Sequence, residues 1–262
     1  MCYYFTMLAL ERQKYIENAL KISGSILISE ISAKLNCSEE TIRRDLNELE
    51  KNNKLKRVHG GAYIPLDTDK GVPAKIKEIL LLEEKQKIAD IAIKQFISDN
   101  DTVFIDSSTT CVTLAKKIID LNLKVTIITN SLLIFKYFCD SVCENVNLIG
   151  LGGNYRPRAC SFVGYDTTQT IKNYSADKCF ISPSAINCNS GLLDNSSNEC
   201  QIRKTFIQQS EQHVLLCDNT KLDDTANYVI SSLDSINCVV TDKSPSKKWM
   251  DIFNSHDIKV FF

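Results

Sequence analysis

Between residues 103 and 262, short apolar segments alternate with segments of helical periodicity. The apolar segments are Val103–Asp106, Val125–Thr129, Val146–Ile149, Cys179–Ile181, Val214–Cys217, Cys238–Thr241 and Val260–Phe262. The clearest helical segments are Cys111–Leu121, Ser131–Phe138 and Cys200–Gln209. Strands that are apolar throughout are buried on both faces, and their alternation with helices is typical of a parallel sheet covered on both sides. This part of the chain is therefore predicted to be an α/β domain with a largely parallel sheet.

Polar loops follow the predicted strands, at the place where open α/β sheets bind their ligands. The first loop, Asp106–Thr110, carries four hydroxyl side chains and opens a helix, and helix N-termini attract anions such as phosphate. Carboxylates and amides at the strand ends suit sugar hydroxyls, so we predict a site for a phosphorylated sugar. Its predicted residues are Asp106, Ser107, Ser108, Thr109, Thr110, Thr129, Asn130, Gly152, Gly153, Arg158, Asp218 and Lys221. Asp106 is assigned to the sugar hydroxyls. Thr109, Thr110 and Lys221 are assigned to the phosphate.

Three helical segments precede this domain. The first spans about 8–22 and the second about 29–35, with Ser29 as the predicted N-cap of the second. In the third, Ser38 is suited to cap the helix, and apolar residues at i, i+4 and i+7 from Ile42 form one stripe. Three helices with a tight turn between the last two are typical of a helix-turn-helix domain.

The third helix and the segment after it carry groups that suit contact with DNA. The polar face of the helix presents a hydroxyl and two guanidinium groups near its N-terminus, which favours insertion into a major groove. Two short extended segments then flank His59-Gly60-Gly61, and we interpret this basic hairpin as a wing. The predicted DNA-binding residues are Ser38, Thr41, Arg43, Arg44, Lys56, Arg57 and His59.

A change of composition separates the two patterns. Residues 65–73 are rich in Pro, Asp, Thr, Lys and Gly and poor in apolar residues, which is typical of a linker. We therefore predict a winged helix-turn-helix domain at 1–64, a linker at 65–74 and an α/β effector-sensing domain at 75–262.

Charge and cysteine usage narrow the functional class. The net charge is −1, and residues 1–65 carry ten Lys and Arg against eight Asp and Glu. Because this basicity is mild, contact with DNA must depend on geometry as well as charge. The eleven cysteines stand singly and the three histidines are far apart, so we expect reduced thiols, no metal site and no cofactor.

No segment has the pattern of a membrane span or an export signal. No apolar run approaches the roughly 20 residues that a membrane helix needs. Met1–Leu10 is apolar but lacks the basic region and the cleavage site of a signal peptide. We therefore expect a cytoplasmic protein with no membrane partner.

Two strings in the predicted DNA-binding domain are specific in both residue types and spacing. They are Thr41-Ile-Arg-Arg-Asp-Leu-x-x-Leu-Glu50 and Arg57-Val-His-Gly-Gly-Ala62. Other motifs, in chain order, are Glu11-Arg-Gln13, Glu84-Lys85-x-x-Ile88-Ala89, the Asp106–Thr110 loop, Thr129-Asn130-Ser131, Gly152-Gly153, Val163-Gly164, Asp177-Lys178-x-Phe180, Gly191-Leu192 and Thr241-Asp242. Together these motifs resemble the DeoR family of bacterial transcriptional regulators, and the resemblance covers nearly the whole chain.

The resemblance implies a winged helix-turn-helix that binds operator DNA, usually as a repressor, and a sensor domain similar to ribose-5-phosphate isomerase that binds a phosphorylated sugar. It also implies control of genes for carbohydrate uptake and catabolism, and assembly as a homo-oligomer, a dimer or a tetramer. The chain departs from the family pattern at Ser108, at Ser182–Ala185 and at Asn219-Thr220, where the family often has Gly, Gly and Ser-Ser respectively.

Two alternatives to an effector-released repressor stay open. One is a regulator that binds DNA without a ligand and has a degenerate sensor domain. The other is a sugar-phosphate isomerase with a DNA-binding appendage. Isomerisation needs a general base beside the substrate carbon. The candidates for that base are Asp106, Asp194, Glu199 and Asp218. Since carboxylates at strand ends equally bind sugar hydroxyls, we predict no enzymatic activity and no catalytic residues.

Overall fold

A computed structural model describes residues 8–65 and 71–262. It divides the chain into two compact units, residues 1–80 and 81–262. The sequence placed the start of the second domain at residue 75, whereas the structure keeps Ala74–Lys77 in the first unit, where Ile76 is fully buried. Within the predicted linker, residues 66–70 lie outside the described part of the chain.

The described part of the first unit contains four helices and three short strands. They are α1 (Ala9–Ser23), β1 (Ser25–Leu27), α2 (Ile28–Leu35), α3 (Glu39–Lys51), β2 (Lys56–Val58), β3 (Gly61–Tyr63) and α4 (Ala74–Lys77). Strand β3 lies between β1 and β2, and both pairings are antiparallel. The predicted apolar stripe of α3, Ile42, Leu46 and Leu49, is buried in one core with Ile16 and Leu20 of α1. The predicted winged helix-turn-helix architecture is therefore confirmed.

The two predicted N-caps have different outcomes. The hydroxyl of Ser38 accepts a hydrogen bond from the N–H of Thr41 at 3.1 Å, so Ser38 caps α3 as predicted. The prediction that Ser29 caps α2 is wrong, because α2 begins at Ile28 and its N-cap residue, Leu27, makes no side-chain cap. Leu27 is the last residue of β1, so the helix begins where strand pairing ends.

The predicted hairpin is formed by β2 and β3, and it requires glycine at two positions. Gly60 has φ +78°, in the left-handed region that favours glycine. A Cβ atom on Gly61 would lie 2.4 Å from the carbonyl oxygen of Ile26 in β1. Strand β1 was not predicted, because Ser25–Leu27 reads as a continuation of the turn that ends α1.

The second unit, described in full, contains six helices and twelve strands. They are α5 (Leu82–Phe96), β4 (Thr102–Ile105), α6 (Thr109–Asp120), β5 (Val125–Thr129), α7 (Leu132–Cys139), β6 (Val146–Gly150), β7 (Asn154–Arg156), β8 (Ser161–Val163), α8 (Tyr165–Ile171), β9 (Ala176–Ile181), β10 (Ala185–Asn187), β11 (Gly191–Asp194), α9 (Ser197–Gln208), β12 (Ser210–Leu216), β13 (Tyr228–Ser231), β14 (Cys238–Val240), α10 (Lys247–Ser255) and β15 (Lys259–Phe261).

Seven of these strands form one parallel sheet in the order β15-β14-β12-β9-β4-β5-β6. All seven predicted apolar segments lie in it, so the predicted largely parallel α/β fold is confirmed. Apolar side chains are buried on both faces. On one face Phe104 of β4 stacks on Phe206 of α9, and on the other Val103 and Ile105 pack in a core with α5 and α6.

Two small antiparallel sheets accompany the parallel sheet and were not predicted. One is the β7–β8 hairpin, and the other has the order β10-β11-β13. Their strands are three or four residues long and mix polar with apolar residues, so no periodicity marks them. Both small sheets follow carboxyl ends of the parallel strands and bring polar side chains to that edge.

Within residues 8–65 and 71–262, no helix is long and apolar enough to cross a membrane. The ten cysteines in those ranges are free thiols. Burial raises the pKa of the thiols of Cys179 and Cys217 to about 12, so both are protonated and unreactive at neutral pH. The same ranges hold no group of three or more His, Cys, Asp and Glu side chains arranged for a metal ion.

Candidate functional site

Helix α3 presents its two arginines differently. The side chain of Arg44 is 78% exposed, and its nearest carboxylate, that of Glu40, is 3.9 Å away. Arg43 is instead held by Glu39, one turn back on the helix, at 2.6 Å. The hydroxyls of Ser38 and Thr41 lie 2.9 Å apart at the start of the helix. Arg44 is therefore the guanidinium on this face that is most open to a base edge.

A buried ion pair sets the position of α3. Asp45, the residue after Arg44 in α3, is 3% exposed. The guanidinium of Arg12 in α1 donates to both of its carboxylate oxygens, one of them at 3.1 Å from Nη2. The hydrogen bond to Asp45 raises the pKa of Arg12, so the guanidinium stays charged. Arg12 and Asp45 both lie in the motifs quoted above, but their contact could not be read from them.

The basic residues of the wing also differ in accessibility. Lys56 and His59 are exposed. Arg57 is half-buried. Its backbone N–H donates to Oε1 of Glu50 in α3 at 2.8 Å, and its Nη1 lies 3.8 Å from Oε2 of the same carboxylate. Its Nε is buried with no hydrogen-bond partner among the described residues. The structure thus brings Lys56 and His59 to the surface, and turns Arg57 partly toward the protein.

In the second unit, Asp106 stands at the carboxyl end of β4 and is 1% exposed. Its carboxylate accepts hydrogen bonds from the N–H of Ser108 at 2.7 Å, the N–H of Ser182 at 2.8 Å and Nε of Arg203 at 2.6 Å. Burial raises the pKa of this carboxyl, but the charge of Arg203 and the hydrogen bonds outweigh burial and hold the pKa below its ordinary value. Asp106 therefore joins two strand-end loops as an ionised carboxylate.

Arg203 of α9 connects Asp106 to a second carboxylate. Its Nη1 donates to Asp194, at the end of β11, at 2.7 Å. Burial lowers the pKa of Arg203, but the charges of Asp106, Asp194 and Glu199 raise it further, so it lies well above its ordinary value. Sequence reasoning did not identify Arg203. No local signal marks it, because its partners lie 97 and 9 residues away.

Glu199 lies one helical turn before Arg203 and was predicted only as an alternative catalytic base. Its carboxylate accepts from Ser107 Oγ at 3.2 Å, Arg156 Nη1 at 2.8 Å and Ser161 Oγ at 2.6 Å. The four side chains come from the β4–α6 loop, both strands of the β7–β8 hairpin and α9. The sequence does mark Glu199 as part of a helix start, because Ser196-x-x-Glu199 has the pattern of a capping box.

The loop after β12 adds the predicted lysine. Lys221 Nζ donates to the hydroxyl of Ser182 at 2.6 Å, and the N–H of Ser182 is bonded to Asp106. Asp218 accepts from both the N–H and the hydroxyl of Thr220 and so closes the turn that carries Lys221. These contacts bring Lys221 and the Asp106 loop, distant in sequence, to the same edge of the sheet.

The strand end of β5 is buried. Thr129 and Asn130 are fully buried, and the Nδ2 of Asn130 donates to the carbonyl of Phe162 in β8 at 2.9 Å. Gly153 has φ +147°, and a Cβ atom there would lie 2.0 Å from Thr167 Oγ1, so the loop after β6 requires this glycine.

Three of the predicted effector residues lie beyond the end of β6. Gly152 lies in an exposed part of the loop after β6, and a Cβ atom there would meet no atom within 4 Å. Arg158 is half-buried in the turn of the β7–β8 hairpin. Gly153 follows Gly152 in the same loop, and the other predicted residues lie at the ends of β4, β5 and β12 or in the first turn of α6.

Two family models cover the two units. The DeoR-like helix-turn-helix domain matches residues 12–68, and the DeoR C-terminal sensor domain matches residues 81–243. Among solved structures, ribose 5-phosphate isomerase A from Methanocaldococcus jannaschii has a TM-score of 0.39 at 17% identity, covering 54% of this chain and 55% of that chain.

Relatives align over nearly their whole length. The transcriptional regulator IolR of Bacillus subtilis is 31% identical over 96% of this chain and 98% of its own. The lactose phosphotransferase system repressor of Lactococcus lactis is 35% identical over 94% of this chain and 95% of its own. The glycerol-3-phosphate regulon repressor of Escherichia coli is 28% identical over 95% and 97%. Because both family models match and these relatives align over nearly their whole length, the chain belongs to the DeoR family of transcriptional regulators.

Proposed function

We propose that this regulator represses genes of carbohydrate uptake and catabolism, and that a phosphorylated sugar releases it from operator DNA. The names of two relatives, a lactose phosphotransferase system repressor and a glycerol-3-phosphate regulon repressor, support the gene class. The observation that carries the effector class is the hydroxyl-rich N-terminus of α6, which lies at the carboxyl ends of the parallel strands.

Residues take the following roles in this proposal. The first-turn residues Thr109 and Thr110 bind the phosphate together with Lys221. Asp106 was assigned to sugar hydroxyls, but its carboxylate already accepts three hydrogen bonds. We therefore assign it the task of holding the loop. On the DNA side, Arg44 reads bases while Lys56 and His59 contact phosphates.

A panel of ligands tests the effector. Glycerol 3-phosphate and hexose and pentose phosphates are added to the full chain, and the melting temperature is followed for each. A ligand at 100 times its Kd stabilises a folded protein by about 2.7 kcal/mol. A ligand that stabilises the chain should also weaken operator binding in a gel shift. If no ligand raises the melting temperature while operator binding persists, the ligand-independent regulator is the better description.

The departures from the family pattern have local roles that fit a working sensor. The hydroxyl of Ser108 accepts from the N–H of Cys111 at 3.2 Å and caps α6. Ser182 supplies the hydroxyl that holds Lys221. These contacts support a site adapted to its own effector.

We propose that the sensor domain binds its ligand without turning it over. A general base needs a carboxylate free to take a proton from the substrate. Asp106 and Asp194 are engaged by Arg203, and Glu199 by Arg156. The assay is isomerisation of ribose 5-phosphate by the purified chain. Turnover that Asp218→Asn abolishes would establish an enzyme.

We further propose a homodimer or tetramer in which two DNA-binding units occupy half-sites about 34 Å apart. Light scattering on the free chain and on its operator complex measures the number of subunits. A monomer bound to a single half-site would contradict the assembly.

A further inference from the structure

The β7–β8 hairpin and the Asp106–Thr110 loop meet at the carboxylate of Glu199, which is 5% exposed. Arg156 and Ser161 donate to it from the two strands of the hairpin, and Ser107 donates to it from the loop. One side chain of α9 thus ties the hairpin to the loop that we assign to the effector.

The start of α9 leaves Glu199 free for this contact. In a Ser-x-x-Glu helix start, the glutamate usually accepts from the N–H of the N-cap residue. Here that N–H, of Ser196, donates to Asp194 at 3.0 Å, while the hydroxyl of Ser196 accepts from the N–H of Glu199 at 3.4 Å. Because Asp194 takes over this part of the capping, the carboxylate of Glu199 reaches across to the hairpin.

The donors to Glu199 are those with which proteins bind phosphate. A guanidinium and two serine hydroxyls suit the oxygens of a phosphate group as well as those of a carboxylate. An anion that approaches the Asp106–Thr110 loop therefore meets these donors already occupied. It also meets a buried negative charge, whose repulsion is stronger than in water.

The contact of the hairpin with β5 is incompletely satisfied. The N–H of Phe162 donates to the carbonyl of Asn130, and Nδ2 of Asn130 donates back to the carbonyl of Phe162, each at 2.9 Å. Beside this pair, Oδ1 of Asn130 and Oγ of Ser131 are buried with no hydrogen-bond partner in the described part of the chain. Unpaired buried polar atoms are unfavourable, so this contact restrains the hairpin less than a fully paired one would. The hydrogen bonds from Arg156 and Ser161 to Glu199 add to the restraint.

We propose, building on the proposed effector function, that Glu199 is an internal competitor of the effector. Its carboxylate occupies the donors that an anionic group of the effector takes, and its displacement removes the side-chain contacts that join the β7–β8 hairpin to α9. Glu199 thereby sets the effector concentration at which the regulator leaves its operator.

The anion affinity of Glu199→Gln tests the competition. This change removes the charge and keeps the size of the side chain. By calorimetry on the full chain, the variant is expected to bind inorganic phosphate and the sugar phosphates about tenfold more tightly than the wild type, or about 1.4 kcal/mol. Glu211→Gln, the same change at an exposed residue of β12, is expected to leave the affinity unchanged. Equal or weaker binding by Glu199→Gln would overturn the competition.

Amide hydrogen exchange without ligand tests the restraint on the hairpin. Exchange in residues 154–163 is expected to be faster in Glu199→Gln, with β4 and β9 unchanged. If that variant does not fold, Ser161→Ala removes one donor and keeps the carboxylate, and it is expected to speed exchange in the same segment. Unaltered exchange there in a folded variant would overturn the restraint. If neither wild type nor variant binds any anion, the proposed effector and the competition fail together, whereas equal binding by both overturns the competition alone.

Discussion

Side chains of the same type have different roles in this protein, according to the partners they find. Arg43 and Arg44 are neighbours in sequence, yet Arg43 is held by Glu39 and Arg44 is mostly exposed. In the sensor unit, Asp106 is a buried carboxylate with three donors, although its position in a polar loop reads as a ligand contact. Burial and the hydrogen-bond or ion-pair partner of a side chain, and not its residue type, determine its role.

Arg44→Ala is expected to weaken operator binding. A bidentate arginine–guanine contact is worth roughly 1–3 kcal/mol, so affinity should fall by about 5-fold to 150-fold. Fluorescence anisotropy with DNA from upstream of the gene measures this at a fixed salt concentration. Lys14→Ala, at an exposed position of α1, removes one positive charge from the same unit and serves as the control. An affinity equal to that of Lys14→Ala would show that Arg44 does not read the operator.

Asp106 predicts how the stability of the sensor unit depends on pH. Its pKa in the folded protein lies below the ordinary value of 3.8, so its ionised form stabilises the fold above that pH. The contribution is lost as the pH falls through the folded-state pKa. Urea unfolding followed by the fluorescence of Trp249, the one tryptophan of the chain, measures it from pH 7 to pH 3. Asp106→Asn should be less stable than the wild type at pH 7, with a difference that shrinks toward pH 3. A difference that stays constant over this range would contradict the role of the ionised carboxylate.

Two influences determine where a helix or strand begins: local sequence signals such as caps, and the pairing of neighbouring strands. At α3 they agree, because Ser38 caps the helix at the position that the sequence indicates. At α2 they compete, and the pairing of β1 with β3 places the start of the helix before Ser29. The seven strands of the parallel sheet were predictable from their apolar segments, whereas the strands of the hairpin and of the β10-β11-β13 sheet depend on contacts that no periodicity encodes.

Removal of the cap tests this distinction. Ser38→Ala is expected to destabilise α3 by about 1 kcal/mol, since the N–H of Thr41 loses its side-chain acceptor. Ser29→Ala is the matched control, because Ser29 is exposed and makes no cap. Hydrogen exchange of the α3 amides in the full chain measures the local opening free energy of each variant. Equal effects of the two substitutions would refute the assigned cap.

In the proposed function, one unit of the molecule recognises DNA and the other recognises a ligand. The first unit carries the exposed arginine and the wing, and the second carries the strand-end loops with Lys221 and the Glu199 and Arg203 contacts. A change confined to the ligand loops is therefore expected to alter the response without altering DNA binding itself.

Lys221→Met is expected to produce a repressor that no longer responds to its effector. Its operator affinity without ligand should equal that of the wild type, while the sugar phosphate found by the ligand panel should no longer release it. A titration of the operator complex with that ligand measures both quantities. Lys94→Met, at an exposed position of α5, should respond like the wild type. A normal response of Lys221→Met would remove Lys221 from the phosphate site.

Caps, glycine turns and hydrophobic periodicity are properties of neighbouring residues, so the helix-turn-helix, the wing and the parallel α/β sheet could be predicted from the sequence. The roles of the polar residues at the strand ends depend instead on tertiary contacts. Asp106 finds Arg203 across 97 residues, and Glu199 finds Ser107 across 92. Such contacts depend on which distant segments are buried together, and a carboxylate carries no local mark of whether its partner will be an arginine or a ligand.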